Sequence, residues 1–313
     1  MLCPFRAIRQ GEIMFIRRNA PAASLFAAVV SIFAMSFPHS AAAAGACDRA
    51  CLTGLITTYV DALVAQDHSR LPLAENVRVT EDSRAIQLGE GLWKTVTGKG
   101  TFRHDYLDTS RQVAASHVVV LEGQTQALLS VLLHVKDSRI AGIETLVQRI
   151  TPESRFQPTE LGKPVRGMND PVPAGQKQSR QDMIRIALTY TEGLRVGNFT
   201  DGKTPFAPGS YRVENGVITA GPGCGRADCD LYAQNIILHP GIIASVAAVD
   251  EENGVVLLWM NFGHTGSAYG EGNALVTFEA FKVWGGQIQS INAFFKGLPV
   301  ATARFWPSLD PVR

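Results

Sequence analysis

Four titratable side chains are candidates for acid–base chemistry: His104, His264, Glu81 and Glu214. An unperturbed histidine has a pKa close to neutral pH, and burial can raise the pKa of a carboxylate toward the same range. In the segment from Val255 to His264 every second residue is apolar, and His264 ends that face. The pattern predicts His264 at the mouth of a cavity, either as a proton carrier or as a residue that only caps the core.

The densest group of titratable residues is Phe102–Tyr106, which contains Arg103, His104 and Asp105. Adjacent side chains diverge on a helix or a strand, so these three cannot all face inward. One interpretation makes His104 the proton carrier, with an acidic partner from elsewhere in the chain. The other makes the segment a solvated surface turn, and we favour the turn.

Glu81 and Glu214 occupy equivalent positions after a repeated Arg-Val pair, with Arg78 three residues before Glu81 and Arg212 two residues before Glu214. Two carboxylates that face a pocket could act as bases. An Arg and a Glu at a strand end could instead form an ion pair that fixes a turn. The pattern occurs twice, which suits a structural role better than a single active site, so we favour the ion pair.

Composition and missing motifs exclude several classes of function. The chain has 29 basic and 28 acidic residues and no long run of either sign, which disfavours nucleic acid as a partner. The sequence contains no Gly-x-Ser-x-Gly elbow, phosphate-binding loop or His-Glu-x-x-His motif. The cysteine spacings do not match a zinc site. We therefore expect neither a metal nor another cofactor.

The elements that must position these side chains are encoded twice. A block that begins at Thr58-Tyr59 and one that begins at Thr189-Tyr190 are 131 residues apart at their Tyr residues. This period is the size of a small domain and too long for a solenoid, so it indicates a tandem duplication. We predict domains at residues 47–150 and 179–313, joined by a Pro-rich linker at residues 151–178.

Each predicted domain begins with an amphipathic helix and continues with strands, an order typical of α+β folds. Helical spacing covers residues 48–65 and 180–196. Alternating or apolar runs predict the strands that follow. These strands lie at residues 77–80, 116–121, 127–136, 139–149, 211–213, 242–249, 255–264, 274–284 and 287–296.

The chain resembles the nuclear transport factor 2-like superfamily, which includes the SnoaL-like polyketide cyclases and the ketosteroid isomerases. More closely, it resembles a tandem family known only as domain of unknown function 8021. The stretches that carry this closer resemblance are Val79–Asp82, Leu88–Trp93, Phe102–Asp108, Tyr211–Gly216 and Val249–Val255.

The resemblance implies two cone-shaped domains, each a curled antiparallel sheet around a long N-terminal helix. The space inside such a cone is either a filled core or a pocket. In the second case the aromatic residues Tyr59, Trp93, Tyr190 and Tyr269 are candidates for binding a ligand. The implied function is a cofactor-independent isomerase, dehydratase or cyclase that acts on a small apolar molecule. The alternative is a non-catalytic ligand-binding or scaffold protein.

Residues 1–46 have the charged, apolar and small-residue order of an export signal. Twin-arginine export, and lipidation at Cys47, remain alternatives to ordinary cleavage. After signal removal we expect a periplasmic or secreted protein with no membrane segment. Exported thiols generally pair, and the four remaining cysteines allow three connectivities. We favour Cys224 with Cys229 across a turn-rich loop, which leaves Cys47 with Cys51.

Strands in both domains carry apolar side chains on both faces, but one helix can cover only one face of a sheet. Leu129 and Val131, for example, alternate with Leu128 and Leu132. We therefore predict a monomer that is internally a pseudo-dimer, with the two sheets packed face to face. The linker is expected to run along the outside.

Overall fold

The computed structural model describes residues 45–158, 168–226, 228–234, 236–266 and 268–312. The export signal predicted for residues 1–46 lies outside the described residues except for Gly45 and Ala46. None of the helices in the described part of the chain is long and apolar enough to cross a membrane.

Each half has one long helix followed by six strands. The first half consists of α1 (Arg49–Val64), β1 (Leu73–Glu81), β2 (Arg84–Ala85), β3 (Gly98–Asp108), β4 (Val113–Glu122), β5 (Thr125–Lys136) and β6 (Arg139–Ile150), with short 3-10 helices at His68–Arg70 and Gly91–Lys94. The second half consists of α2 (Arg180–Val196), β7 (Phe206–Glu214), β8 (Val217–Ala220), β9 (Ile243–Asp250), β10 (Val255–Asn261), β11 (Asn273–Trp284) and β12 (Gln287–Pro299). Between Ile150 and Arg180 the described residues form neither helix nor strand.

The two sheets have the same topology. Their strand orders are β2-β1-β6-β5-β4-β3 and β8-β7-β12-β11-β10-β9. The α+β class is thus confirmed, but the expectation of purely antiparallel sheets is wrong. β1 runs parallel to β6, and β7 runs parallel to β12. In each half the last four strands form an antiparallel meander. The final strand of this meander lies beside the first strand of the half and runs parallel to it.

The local sequence explains where the helices begin and end. Asp48 caps α1, because its side chain accepts the Cys51 N–H at 2.8 Å. Ser179 caps α2 in the same way, accepting the Asp182 N–H at 3.1 Å. α2 ends at Gly197, whose φ of 87° is a left-handed conformation that glycine adopts without strain.

The same turn occurs at equivalent positions of the two halves. Asp82-Ser83 and Asn215-Gly216 both have positive φ and join the first two strands of their sheets. Asp82 Oδ1 accepts the Val147 N–H at 3.0 Å, and Asn215 Oδ1 accepts the Phe295 N–H at 2.9 Å. In each half the turn residue therefore braces the last strand, as a duplicated structure requires.

Both disulfides predicted from the sequence are present, linking Cys47 to Cys51 and Cys224 to Cys229. Disulfides persist where thiols are not kept reduced, so the pair indicates an oxidising compartment. The second bridge closes the loop between β8 and β9, and Cys229 itself is buried.

The faces of the two sheets that point away from the helices share one cluster of buried side chains. The first sheet contributes residues such as Tyr106 and Leu132, and the second contributes Trp259 and Phe278. Met168, from the predicted linker, is fully buried in the same cluster. The expectation that the linker runs along the outside is therefore wrong at this point, because its methionine fills space between the sheets.

Two buried carboxylates link the halves in a reciprocal way. Asp108, at the end of β3, binds Arg180 at the start of α2 at 2.7 Å, and its Oδ2 accepts the Val249 N–H. Asp250, at the end of β9, binds Arg49 at the start of α1 at 2.6 Å, and its Oδ2 accepts the Leu107 N–H. This exchange of equivalent contacts is typical of an isologous interface. The oligomeric state in solution stays a prediction.

The C-terminal segment after β12 packs on the first sheet. Trp306 stacks on His134 with ring centroids 4.0 Å apart, and its Nε1 donates to Thr80 Oγ1 at 3.1 Å. Arg304 forms a buried ion pair with Glu144 at 2.7 Å. The segment therefore covers a part of the first sheet that the second sheet does not reach.

Candidate functional site

Two adjoining pockets form a cavity at the second sheet. The larger, of about 520 Å³, is lined by residues of α2 and the sheet, and the smaller, of about 360 Å³, lies beside it and is also lined by residues of β6 and the segment that follows β6. Pockets of this size are in the range that holds small organic ligands. The two pockets share the lining residues Arg155, Phe156, Glu214, Ile237, Tyr269 and Leu275.

Strand alternation determines which side chains point into this cavity. On β11, Phe281 and Val283 pack under α2, whereas Val276 and Phe278 face the other sheet. Glu279 has the same parity as Phe281 and so lies on the helix side. On β7 the same rule puts Arg212 and Glu214 inward, and both line the larger pocket. Three ionisable side chains thus lie on the inner face of one sheet.

Arg212 is the centre of a buried polar cluster. Its Nη1 donates to the Tyr190 hydroxyl at 2.8 Å, and its Nη2 donates to Gln234 Oε1 at 2.8 Å. Its Nε donates to Thr219 Oγ1 at 3.0 Å and lies 3.3 Å from Glu214 Oε2. Only 7% of the residue is exposed. The hydroxyl, amide and carboxylate oxygens around it compensate for the lost hydration of its charge.

Glu279 lies at the base of this cluster and is 1% exposed. Burial raises its pKa to about 8, and the nearby negative charge of Glu214 adds to the effect. Arg212 and a hydrogen bond with Tyr190 oppose the rise without cancelling it. At neutral pH Glu279 is therefore mainly the neutral acid.

His239 and Tyr269 form a second polar pair in the larger pocket. The Tyr269 hydroxyl lies 3.4 Å from His239 Nε2, and the two rings are parallel with centroids 6.0 Å apart. Burial lowers the pKa of His239 to about 4, so its imidazole is neutral at pH 7. It can therefore donate or accept one hydrogen bond, but it adds no positive charge.

The remaining wall is largely apolar, and part of it comes from outside the second half. Phe156, which follows β6, packs edge-to-face against Phe295 of β12 with centroids 5.1 Å apart. The side chains of Ile236, Phe262 and Leu275 also line the larger pocket. The cavity can therefore enclose an apolar molecule while offering polar groups at the Arg212 cluster.

Of the residues predicted in the second half, Glu214, Tyr190 and Tyr269 all line this cavity. His264 does not lie with them. β10 ends at Asn261, three residues earlier than predicted, because Gly263 with φ 73° turns the chain and Asn261 Oδ1 accepts its N–H. His264 is exposed on the following loop. Its catalytic role stays a prediction that this geometry does not favour.

The residues predicted in the first half occupy more structural positions. Glu81 Oε2 accepts the Leu92 N–H at 2.9 Å, so it anchors the 3-10 helix at Gly91–Lys94. Burial raises the pKa of Glu81, and this hydrogen bond opposes the rise. Tyr59 and Trp93 pack edge-to-face in the buried core beneath α1.

His104 lies on β3, so the favoured interpretation of Phe102–Tyr106 as a surface turn is wrong. Phe102, His104 and Tyr106 are buried facing the second sheet, while Arg103 pairs with Asp105 on the other face at 2.7 Å. Burial lowers the pKa of His104 to about 4. His104 is thus buried between the two sheets and is not a lining residue of the cavity of the second half.

Two residues of the cavity cluster were not singled out from the sequence. Glu279 has the parity of Leu275 and Phe281, and a lone carboxylate on an apolar strand face was a signal that could have identified it. His239 lies in the irregular segment before β9, where no periodicity exists to place it. Within the described ranges, no group of three or more His, Cys, Asp or Glu side chains could hold a metal ion.

Comparison with known families gives one match. The family model described as a domain of unknown function, DUF8021, matches residues 176–295, which include α2 and most of the second sheet. A comparison with curated proteins gave no match. The protein is therefore of the α+β class, and the match to DUF8021 lies in its second half.

Proposed function

We propose that the second half is a cofactor-independent acid–base enzyme that moves a proton on a small, mostly apolar molecule. Isomerases, dehydratases and cyclases work in this way. The observation that carries the proposal is the pair of carboxylates around Arg212. Glu279 holds a proton at neutral pH, whereas Glu214 is ion-paired with the arginine. Carboxylates whose surroundings separate their protonation states are the pattern expected of an acid and a base.

The residues divide the chemistry among them. Glu214 lines both pockets and is the base that removes a proton from a carbon next to a carbonyl. The Arg212 guanidinium stabilises the negative charge that then develops on the carbonyl oxygen. Neutral Glu279 lies next to the Tyr190 hydroxyl, which accepts a hydrogen bond from Arg212, and it holds the proton of the cluster. Glu214 returns the proton that it removed to the substrate at a second position.

We also propose a more detailed fold and a cellular location. We take both halves as cone-shaped domains of the nuclear transport factor 2-like kind, which commonly enclose a pocket between helix and sheet. The export signal and the two disulfides support a protein of the periplasm or the cell exterior.

Proton exchange tests the proposal without knowledge of the natural substrate. The mature protein is incubated in D₂O with a panel of cyclic enones, β-diketones and aryl ketones, and deuterium incorporation is followed by NMR. We expect exchange of at least one compound, reduced about 100-fold or more in Glu214→Gln. Glu271→Gln, which changes an exposed carboxylate outside the cavity, should leave the rate unchanged.

Two results would contradict the acid–base assignment. One is exchange that proceeds equally in wild type and Glu214→Gln. The other is binding of panel compounds, detected as a rise in melting temperature, without any exchange. The second result would favour the non-catalytic ligand-binding alternative.

A further inference from the structure

The charges around the larger pocket are unequal. Three arginines, Arg155, Arg212 and Arg226, line it, and Glu214 is the one carboxylate among its described lining residues. Glu214 is 3.3 Å from Arg212 and balances that charge. The neutral states of His239 and Glu279 add nothing at pH 7. The positive charges of Arg155 and Arg226 therefore dominate the mouth of the pocket.

These two arginines are exposed and held on different walls. Arg226 lies in the loop closed by the Cys224–Cys229 disulfide, and its backbone N–H donates to Cys229 Sγ at 3.3 Å. Its 3.5 Å pair with Asp228 is between two largely exposed side chains, so it is weak in water. Arg155 lies close enough to Tyr269 to act on its pKa. Burial raises the pKa of the Tyr269 phenol, and the positive charge of Arg155 opposes that rise.

The polar and apolar groups of the pocket suit a ligand whose two ends differ in polarity. Arg212 is buried, whereas the cationic Arg155 and Arg226 are exposed, and apolar side chains such as Ile236 and Phe262 line other parts of the pocket. Guanidinium groups bind carboxylates through parallel hydrogen bonds and with more specificity than a point charge.

We propose that the ligand of this cavity is a small organic acid: an apolar body with a carboxylate that binds Arg155 and Arg226. Its uncharged oxygen end then points toward Arg212. The inference rests on the proposed function only for the position of the reacting end, because carboxylate recognition at the mouth does not require any proton transfer.

Calorimetric titration with two probes of equal shape tests carboxylate recognition. The mature protein at pH 7 and low salt is titrated with 2-naphthoate and with its neutral analogue 2-naphthamide. We expect 2-naphthoate to bind at least 10-fold more tightly, and the advantage should shrink as salt screens the exposed arginines. In the double variant Arg155→Gln/Arg226→Gln the two affinities should become equal.

Arg185→Gln is the matched control, because it removes an exposed arginine of α2 that does not line this pocket. It should keep the full preference for 2-naphthoate. Equal affinity of the two probes in the wild type, failure of 2-naphthoate to bind, or a preference that survives in the double variant would overturn the proposal. Thermal melting of each variant checks that it is folded.

Glu214→Gln separates this inference from the proposed enzyme. It should abolish deuterium exchange while 2-naphthoate binds at least as tightly as to wild type, since a negative charge near the ligand is removed. Carboxylate preference without exchange in any variant would support the ligand class and refute the acid–base role. Exchange on neutral ketones without carboxylate preference would do the reverse.

Discussion

The buried carboxylate of Glu279 makes the free energy of unfolding depend on pH in a way that one substitution should remove. Glu279→Gln replaces it with a neutral side chain of nearly the same shape. Below the ordinary pKa of 4.5 the wild-type residue is protonated in both the folded and the unfolded chain. As pH rises, the unfolded chain releases the proton while the folded chain retains it up to about pH 8. The wild type therefore loses stability over this window, and the variant does not lose this contribution.

The size of the effect follows from the two pKa values. The gap between 4.5 and about 8 corresponds to about 5 kcal/mol once the pH exceeds the folded-state pKa. That is a large part of the about 5–15 kcal/mol by which most domains are stable. Comparing wild type with Glu279→Gln at each pH cancels the contributions of all other titrating groups. The variant should gain steadily on the wild type from pH 4.5 to pH 8.

Urea unfolding at fixed pH values, followed by tryptophan fluorescence with the disulfides kept oxidised, measures this difference. Trp259 is buried between the sheets, so its emission reports loss of the native packing. Glu271→Gln, on an exposed loop, is the control. Its free energy of unfolding should follow that of the wild type at each pH. A free-energy difference between wild type and Glu279→Gln that stays constant from pH 4.5 to 8.5 would refute the reasoning.

Three further substitutions test other contacts. Arg212→Met should destabilise the protein by about 3–5 kcal/mol in urea unfolding, because it leaves the half-buried Glu214 and the oxygens of Tyr190 and Gln234 without their partner; adding Glu214→Gln should restore part of the loss. Burial lowers the pKa of His117 to about 3. The free energy of unfolding should therefore fall as the pH drops below 6.5. In acid titrations His117→Asn should reduce that fall by about 3 kcal/mol at pH 4. Gly142→Ala would put a Cβ 2.1 Å from Trp306; the displaced ring should cost about 1–3 kcal/mol and shift tryptophan emission to longer wavelength.

Hydrophobic periodicity was enough to predict the helices and most long strands. α2 was predicted at residues 180–196 and extends over Arg180–Val196. β3 was missed because charged Arg103 and Asp105 alternate with Phe102, His104 and Tyr106, which suggested a solvated turn. The charged residues pair with each other, and this allows the other face to be buried. The local sequence does not reveal this burial, because the strands of the sheet that covers this face are more than 100 residues away along the chain.

The candidate site was predicted in part: Tyr190, Glu214 and Tyr269 were singled out from the sequence and line the cavity. Arg212 and Glu214 follow the alternation of β7, and both reach the cavity. His264 was placed by extending the alternation of β10 past the point where Gly263 turns the chain. The partners that change the protonation of Glu279 come from a helix and another strand. Such long-range proximity depends on the tertiary fold, and the pattern within one segment does not contain it.

The packing of the C-terminal segment on the first sheet sets an order of events during synthesis. Arg304 and Trp306 fill their sites on Glu144, His134 and Thr80 only after the second half has been made. At typical translation rates the ribosome needs roughly 10 to 30 s to add the residues after β6. During that interval the nascent first half has a helix and a sheet but an uncovered apolar face. If the chain is exported, as residues 1–46 predict, holding it unfolded until the last residues emerge would protect this face from aggregation.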